Sequence, residues 1–401
     1  MRRGVAAIAI SVFLAAAIPA TSMASGEPES TAADPIQVLV GHLDLERYKA
    51  TIKSLTQFGD RRQGTDRNRA AVEWIATQLK SYGCSNIERI KYTYSPTEAQ
   101  RPSGPAISKR SDAAVGGGRY RGARGHTGVN VDPQLQTDEK LRKLNSQPSE
   151  PGAREEVYCT KVGSTHPDEM YIVGAHMDGH GWGEAANDDA SGTALVMELA
   201  RILSAPGVKT DRSIRFALWN NEETGLNGAR AYVDQRAALQ GKEDPAGSGR
   251  YSEPKWLGMI QHDMMLFDHG MPHPDGSMSK QQRPEADVNI EYQSLAKAAD
   301  GAQKLAWAFY AANEAYATDY PAAVGPHMTN TDSTPFMDLV PAISLRENER
   351  GREIGAGWDP QWHQPSDVYA TYNDADFRLG LNAAQTTLGA IGRLAGVTLT
   401  H

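Results

Sequence analysis

Only two cysteines, Cys84 and Cys159, occur in 401 residues, too few for a disulfide-rich scaffold or a zinc module built on four thiolates. Positive charge is in deficit. Against 49 Asp+Glu stand 41 Lys+Arg, a formal net charge of -8, so nothing pulls the chain generally toward nucleic acid. Neither a GxSxG elbow nor an HExxH pair is found, which sets aside the serine hydrolases and zinc proteases that carry them. Aromatics at 7%, with 38 glycines and 22 prolines, fit neither collagen-like nor disordered composition. What remains is a globular chain, 22% charged and 40% hydrophobic, long enough for one large domain or two ordinary ones.

The first residues read as an address. Arg2-Arg3 precede an apolar run, Val5 to Ala20, and Ser22-Met23-Ala24 sets small residues where a signal peptidase cuts. That order predicts a secretory signal peptide over 1–24. The run falls short of the ~20 residues a membrane-spanning helix needs, so no membrane association is expected after cleavage, and the mature protein is expected to be secreted or periplasmic. Export would bring Cys84 and Cys159 into an oxidising compartment as a candidate disulfide, with two buried free thiols as the other outcome. Their flanking strands, Ile87 to Tyr94 and Glu156 to Val162, suit antiparallel pairing.

Residues 25–40 are expected to form a flexible leader and 41–401 a single catalytic domain. A helix is predicted from Asp66, which can cap it, to Gly83. From about 96 to 152 the periodicity fails among glycines, arginines and prolines, and the stretch reads as a loop-rich surface insertion. Beyond it, apolar runs at Met170 to Gly174, Ile214 to Trp219, Trp256 to Ile260 and Pro341 to Leu345 alternate with helical stretches near 191–203, within 293–317 and at 375–394. Apolar strands separated by helices predict an α/β layered sheet, mainly parallel and covered on both faces.

Each of these runs ends in polar side chains. The first finishes Gly174-Ala175-His176-Met177-Asp178, and the turn Asn187-Asp188-Asp189-Ala190-Ser191-Gly192 follows it. The second leads to Glu222-Glu223, the third to His262-Asp263 and the fourth to Trp362-His363-Gln364-Pro365-Ser366-Asp367. In an open α/β sheet, ligands gather beyond the carboxyl ends of the strands. Imidazole and carboxylate without thiolate suits zinc, with manganese, cobalt and nickel as alternative occupants. Two histidines and three carboxylates exceed what one open catalytic zinc takes and match a two-metal site. Any one segment alone reads equally as a helix cap or a satisfied polar residue, as Asp188 or Asp189 ahead of a helix illustrates.

The order HxD, NDDASG, EE, a strand-end Asp and H-Q-P-S-D resembles the co-catalytic zinc aminopeptidases and glutamate carboxypeptidases over roughly 45–395, outside the insertion. The resemblance implies a three-layer α/β sandwich around a mixed, mainly parallel sheet, with two zinc ions at its edge. It makes Asp188 the bridging ligand, His176 and Asp263 the partners on one zinc, and Glu223 and His363 those on the other. Glu222 falls at the general base, and Asp178 at the position that holds the second ring nitrogen of His176. A cis peptide is implied at Asp188-Asp189. Where many such aminopeptidases carry an oxyanion tyrosine, this chain has Met328; the adjacent His327 is the candidate replacement. Arg346 is a candidate grip for a substrate carboxylate. The insertion is too short for the family's protease-associated domain, so dimerisation through one is not implied.

The implied function is an exported exopeptidase acting on the N-terminal peptide bond of peptide substrates. Weighed against it are a carboxypeptidase of the glutamate-carboxypeptidase type, a single-zinc glutaminyl cyclase and a non-catalytic ectodomain.

Overall fold

A computed structural model describes residues 34–84, 86–96, 129–268, 287–347 and 359–400. The expected signal peptide, residues 1–24, the first part of the leader and residues 97–128 of the insertion lie outside the described residues.

The described chain opens with three helices, α1 (Pro35–Val40), α2 (Leu45–Thr56) and α3 (Asp66–Ser81). Residues 35–40 are therefore no flexible leader. Asp34 caps α1, Pro35 opens it, and Ile36, Leu39 and Val40 are buried, because a proline at the first helical position and a capping carboxylate start even a short helix. In α3 the cap is Thr65, whose hydroxyl accepts the Asn68 N–H, and Asp66 is the first helical residue.

After β1 (Ile87–Tyr94), a short α4 (Glu139–Leu144) leads to β2 (Gly152–Lys161) and β3 (His166–His176). Then come α5 (Ala190–Leu203), β4 (Val208–Lys209), β5 (Arg212–Trp219), α6 (Asn227–Arg236), β6 (Lys255–His262) and β7 (Val288–Tyr292). The chain finishes with α7 (Ala299–Tyr316), β8 (Ala322–Gly325), β9 (Ala342–Arg346), α8 (Asp374–Ala395) and β10 (Thr398–Leu399).

Eight strands form one sheet in the order β1-β2-β5-β3-β6-β9-β7-β8. β5, β3, β6 and β9 run parallel at its centre, while β1, β2 and β7 introduce the antiparallel pairings. The central strands are buried on both faces, which is why they read as unbroken apolar runs. Successive side chains alternate between two cores. Val173, Ala175, Phe216 and Leu218 face the core shared with α2, α3, α5, α7 and α8. Met170, Ile172, Ala217 and Trp219 face a second core with Tyr232, Trp256 and Phe336. The architecture is the mixed, mainly parallel α/β sandwich that the alternation of strands and helices predicts.

β1 and β2 pair antiparallel with Ile87 opposite Cys159, and Cys84 is disulfide-bonded to Cys159. The remainder of the insertion departs from a solvated loop. Asn145 and Gln136 are buried: the Asn145 amide donates to the Gly183 carbonyl at 2.7 Å, and Gln136 Nε2 donates to the carbonyls of Trp182 and Pro365 at 2.9 and 3.0 Å. A loop whose polar groups are satisfied by other loops can be buried without an unmet hydrogen bond.

The chain leaves β3 for β5 on one side and returns to β6 on the other. That reversal of strand order opens a crevice beyond the carboxyl ends of the parallel strands.

Candidate metal centre

Four of the residues at this crevice stand at or just beyond the end of a central strand. β3 ends at His176, β5 is followed by Asn220, Asn221, Glu222 and Glu223, and β6 is followed by Asp263. Asp189 caps α5. Its carboxylate accepts the Gly192 N–H at 2.9 Å and the backbone N–H groups of His176 and Met264 at 3.2 Å each. One aspartate thereby ties together three elements and leaves its neighbour, Asp188, free to face the crevice. The peptide between the two is cis.

Asp188 presents its two oxygens to different histidines: Oδ1 lies 3.1 Å from His176 Nε2, and Oδ2 lies 3.0 Å from His363 Nε2. On the first side, Asp263 Oδ1 is 3.8 Å from His176 Nε2. On the second, Glu223 Oε2 is 2.9 Å from His363 Nε2. Donors on a tetrahedral zinc with bonds of ~2.1 Å stand roughly 3.3 Å apart, and these separations fit. Among the described residues, two groups of side chains converge closely enough to share an ion: His176, Asp188 and Asp263, and a second made of His180, Glu223 and His363.

Hydrogen bonding sets the ring orientations. His176 Nδ1 donates to the backbone carbonyl of Asp178 at 3.0 Å, which leaves Nε2 as the ring nitrogen aimed at Asp188 and Asp263. The Asp178 carboxylate does not make this contact, contrary to the sequence reading; its Oδ1 stands 3.9 Å from Nδ1. Two residues beyond the histidine, the chain turns so that the main-chain oxygen arrives first. Asp178 Oδ1 accepts the Glu222 N–H at 3.0 Å instead, so it orients the glutamate and not the imidazole. Left-handed backbone at Trp182, Ala185, Asn221, Met264 and His363 rings the crevice, and such conformations concentrate at functional sites.

Burial and charge pull the titrations apart. Desolvation raises the Glu222 pKa well above its usual value, against the pull of His176 and with help from the Glu223, Asp332 and Asp263 carboxylates. Burial likewise lifts Asp178 to about 6. Burial depresses His363, but Glu223 and Asp188 outweigh it and push that imidazole up to about 10. Glu223 shows the reverse: burial and the nearby Asp188 raise it, and the histidines carry it down to about 2. So many buried carboxylates in one crevice call for cations.

Two other candidates take different places. Arg346 is buried and hydrogen-bonded through Nη2 to Asp263 Oδ2. It is turned inward, against the acid it neutralises. Half-buried His327 bridges Gln293 through its backbone; among the described residues, no hydrogen bond or ion pair links its side chain to the cluster. Met328 is fully buried in the second core. His180 was not singled out in the sequence. It lies two residues beyond Asp178, and the spacing His-x-Asp-x-His was the available signal.

Comparison with known proteins follows the same lines. The model of peptidase family M28 matches residues 156–386. An aminopeptidase of Bacillus subtilis is 44% identical over 69 residues, which are 17% of this chain and 14% of that protein. A probable zinc metalloprotease of Pyricularia oryzae is 27% identical over 282 residues, 65% of this chain and 46% of that one. The match thus spans less than half the length of either relative. Among solved structures, the aminopeptidase from Aneurinibacillus sp. strain AM-1 superposes with a TM-score of 0.58 at 19% identity, covering 91% of this chain and 97% of that one; at that identity the likeness is one of fold.

Proposed function

Because the chain belongs to peptidase family M28, we propose that it is a metallo-exopeptidase that removes residues from the free N-terminus of peptides with two zinc ions. His176, Asp188 and Asp263 would hold one ion; Asp188, Glu223 and His363 would hold the other. The observation that carries this reading is the Asp188 carboxylate, which turns one oxygen to each histidine at 3.0–3.1 Å. A single-zinc glutaminyl cyclase has no use for that second face.

Bound zinc supplies Lewis acidity toward the scissile carbonyl and lowers the pKa of a water toward about 7. Glu222 is the base: its carboxylate takes the proton of the attacking water and returns it to the departing amine nitrogen. A carboxylate whose pKa is raised by burial is matched to both halves of that transfer. Asp178 fixes the Glu222 backbone, and the Asp178 carbonyl fixes the His176 tautomer. With Arg346 committed to Asp263, an acidic crevice favours a cationic α-amine over a terminal carboxylate. That favours the aminopeptidase over the carboxypeptidase.

Residues 34–401 act as one peptidase domain in this reading, secreted or periplasmic after loss of residues 1–24. The disulfide between Cys84 and Cys159 supports an oxidising destination. No helix among the described residues is long and apolar enough to cross a membrane.

The test is zinc analysis of the purified protein combined with hydrolysis of paired peptides, one with a free and one with a blocked N-terminus. Two equivalents of zinc and cleavage of the free peptide alone are expected. Cleavage confined to the blocked peptide would move the assignment to a carboxypeptidase.

A further inference from the structure

His180 shares the cluster. Its Nε2 lies 3.0 Å from Glu223 Oε2, its ring meets the His363 ring edge-on with centroids 4.1 Å apart, and its side chain is only 12% exposed. Among the described residues, neither its Nε2 nor that of His363 has a hydrogen-bond partner, although both stand within 3.0 Å of the Glu223 carboxylate. Buried imidazole nitrogens that approach one carboxylate oxygen without hydrogen-bond geometry are arranged around a shared point.

The loop carrying His180 is shaped to deliver it. Gly181 has φ +94°, and a Cβ there would lie 2.3 Å from the His363 carbonyl oxygen. At Gly179 a Cβ would fall 2.4 Å from that of Ala185 and 2.9 Å from the Asp188 carbonyl oxygen. Only glycine on both sides lets this loop press its backbone against the His363 and Asp188 segments. The insertion then pins it in place: Gln136 bonds Trp182 and Pro365 together, Asn145 bonds Gly183, and the Asn130 N–H donates to the His363 carbonyl at 3.0 Å.

We propose that His180 is a protein ligand to the ion held by Glu223 and His363, closing that position with four protein donors: His180, Glu223, His363 and Asp188. Four protein donors characterise a closed zinc site, and three leave a position for water or substrate. The two positions then divide the work. The His180 side is structural, and the His176-Asp188-Asp263 side keeps the open coordination position.

This inference rests on the two-ion reading above, and its test separates the two. Zinc binding to metal-stripped protein is measured by calorimetric titration against a competing chelator for wild type, His180→Gln and His180→Cys, with thermal melts as the check on folding. Wild type should bind two ions. In His180→Gln one of the two steps should weaken about 100-fold while the other is unchanged. His180→Cys, which offers a thiolate in place of the imidazole, should restore the weakened step to within about 10-fold of wild type. If His180→Gln binds both ions as wild type does, His180 is no ligand, whatever happens to turnover. If wild type itself binds fewer than two, the reading beneath it falls first.

Discussion

Glu222 and Glu223 are adjacent, yet the fold separates their tasks. Glu223 Oε2 lies against two imidazoles, whereas the Glu222 backbone is held by Asp178. Glu222→Gln is expected to lower kcat by about 10²–10⁴-fold with both zinc equivalents retained. A variant that turns over at near the wild-type rate would remove Glu222 as the base. His262, one residue before Asp263, shows what burial does without acids nearby. Its Nδ1–H donates to the Gly174 carbonyl at 3.1 Å and its Nε2 accepts from the Thr387 hydroxyl at 2.8 Å; burial depresses its pKa to about 4. The unfolded chain takes up this proton near pH 6.5 and the folded chain does not. Stability is therefore lost as pH falls from about 6.5 to about 4, by about 3 kcal/mol in all. Urea unfolding across that range should show the slope in wild type and lose that share of it in His262→Gln; parallel curves would refute it. The ligand residues were legible because their segments follow one another in a family's order. His180 was not, since a lone histidine in a glycine-rich turn looks like any loop histidine until the fold brings Glu223 and His363 beside it.

At the scale of elements, the central strands could be read because burial on both faces leaves them almost wholly apolar. β7 could not. Its sequence, Val-Asn-Ile-Glu-Tyr, alternates like a half-exposed strand, yet Asn289 and Glu291 are buried, and Glu291 adds to the charge around Arg346. Helix α8 lies against the core through its glycines. A Cβ at Gly380 would stand 2.3 Å from the Tyr48 hydroxyl, which is buried and donates to the Ser191 carbonyl. Alanine gains about 1 kcal/mol in helix propensity, but overpacking a rigid ring costs about 1–3 kcal/mol. Gly380→Ala should thus destabilise by up to about 2 kcal/mol in chemical denaturation; a gain in stability would mean that Tyr48 moves freely. The disulfide closes 75 residues of chain. Replacing Cys84 and Cys159 together by alanine is expected to cost roughly 4 kcal/mol in the chain-entropy account, and an unchanged midpoint of unfolding would contradict it.

For the molecule as a whole, ions and fold support each other. Buried carboxylates at the sheet end repel one another, so any cation that binds only the folded chain stabilises it in proportion to the logarithm of its concentration over Kd. The imidazoles of His176 and His363 are held protonated by their acid neighbours, and zinc must displace those protons. Zinc should accordingly bind more tightly as pH rises, and the gap in Tm between zinc-loaded and chelated protein should widen from pH 6 to pH 8. A gap that narrows would place the bound metal elsewhere.

The groups that would cage the ions are spread from His176 to His363, on segments that follow β3, β5 and β6 and on one that precedes α8. An unfolded chain therefore has no cage, and an ion would be caught only once these distant segments have come together.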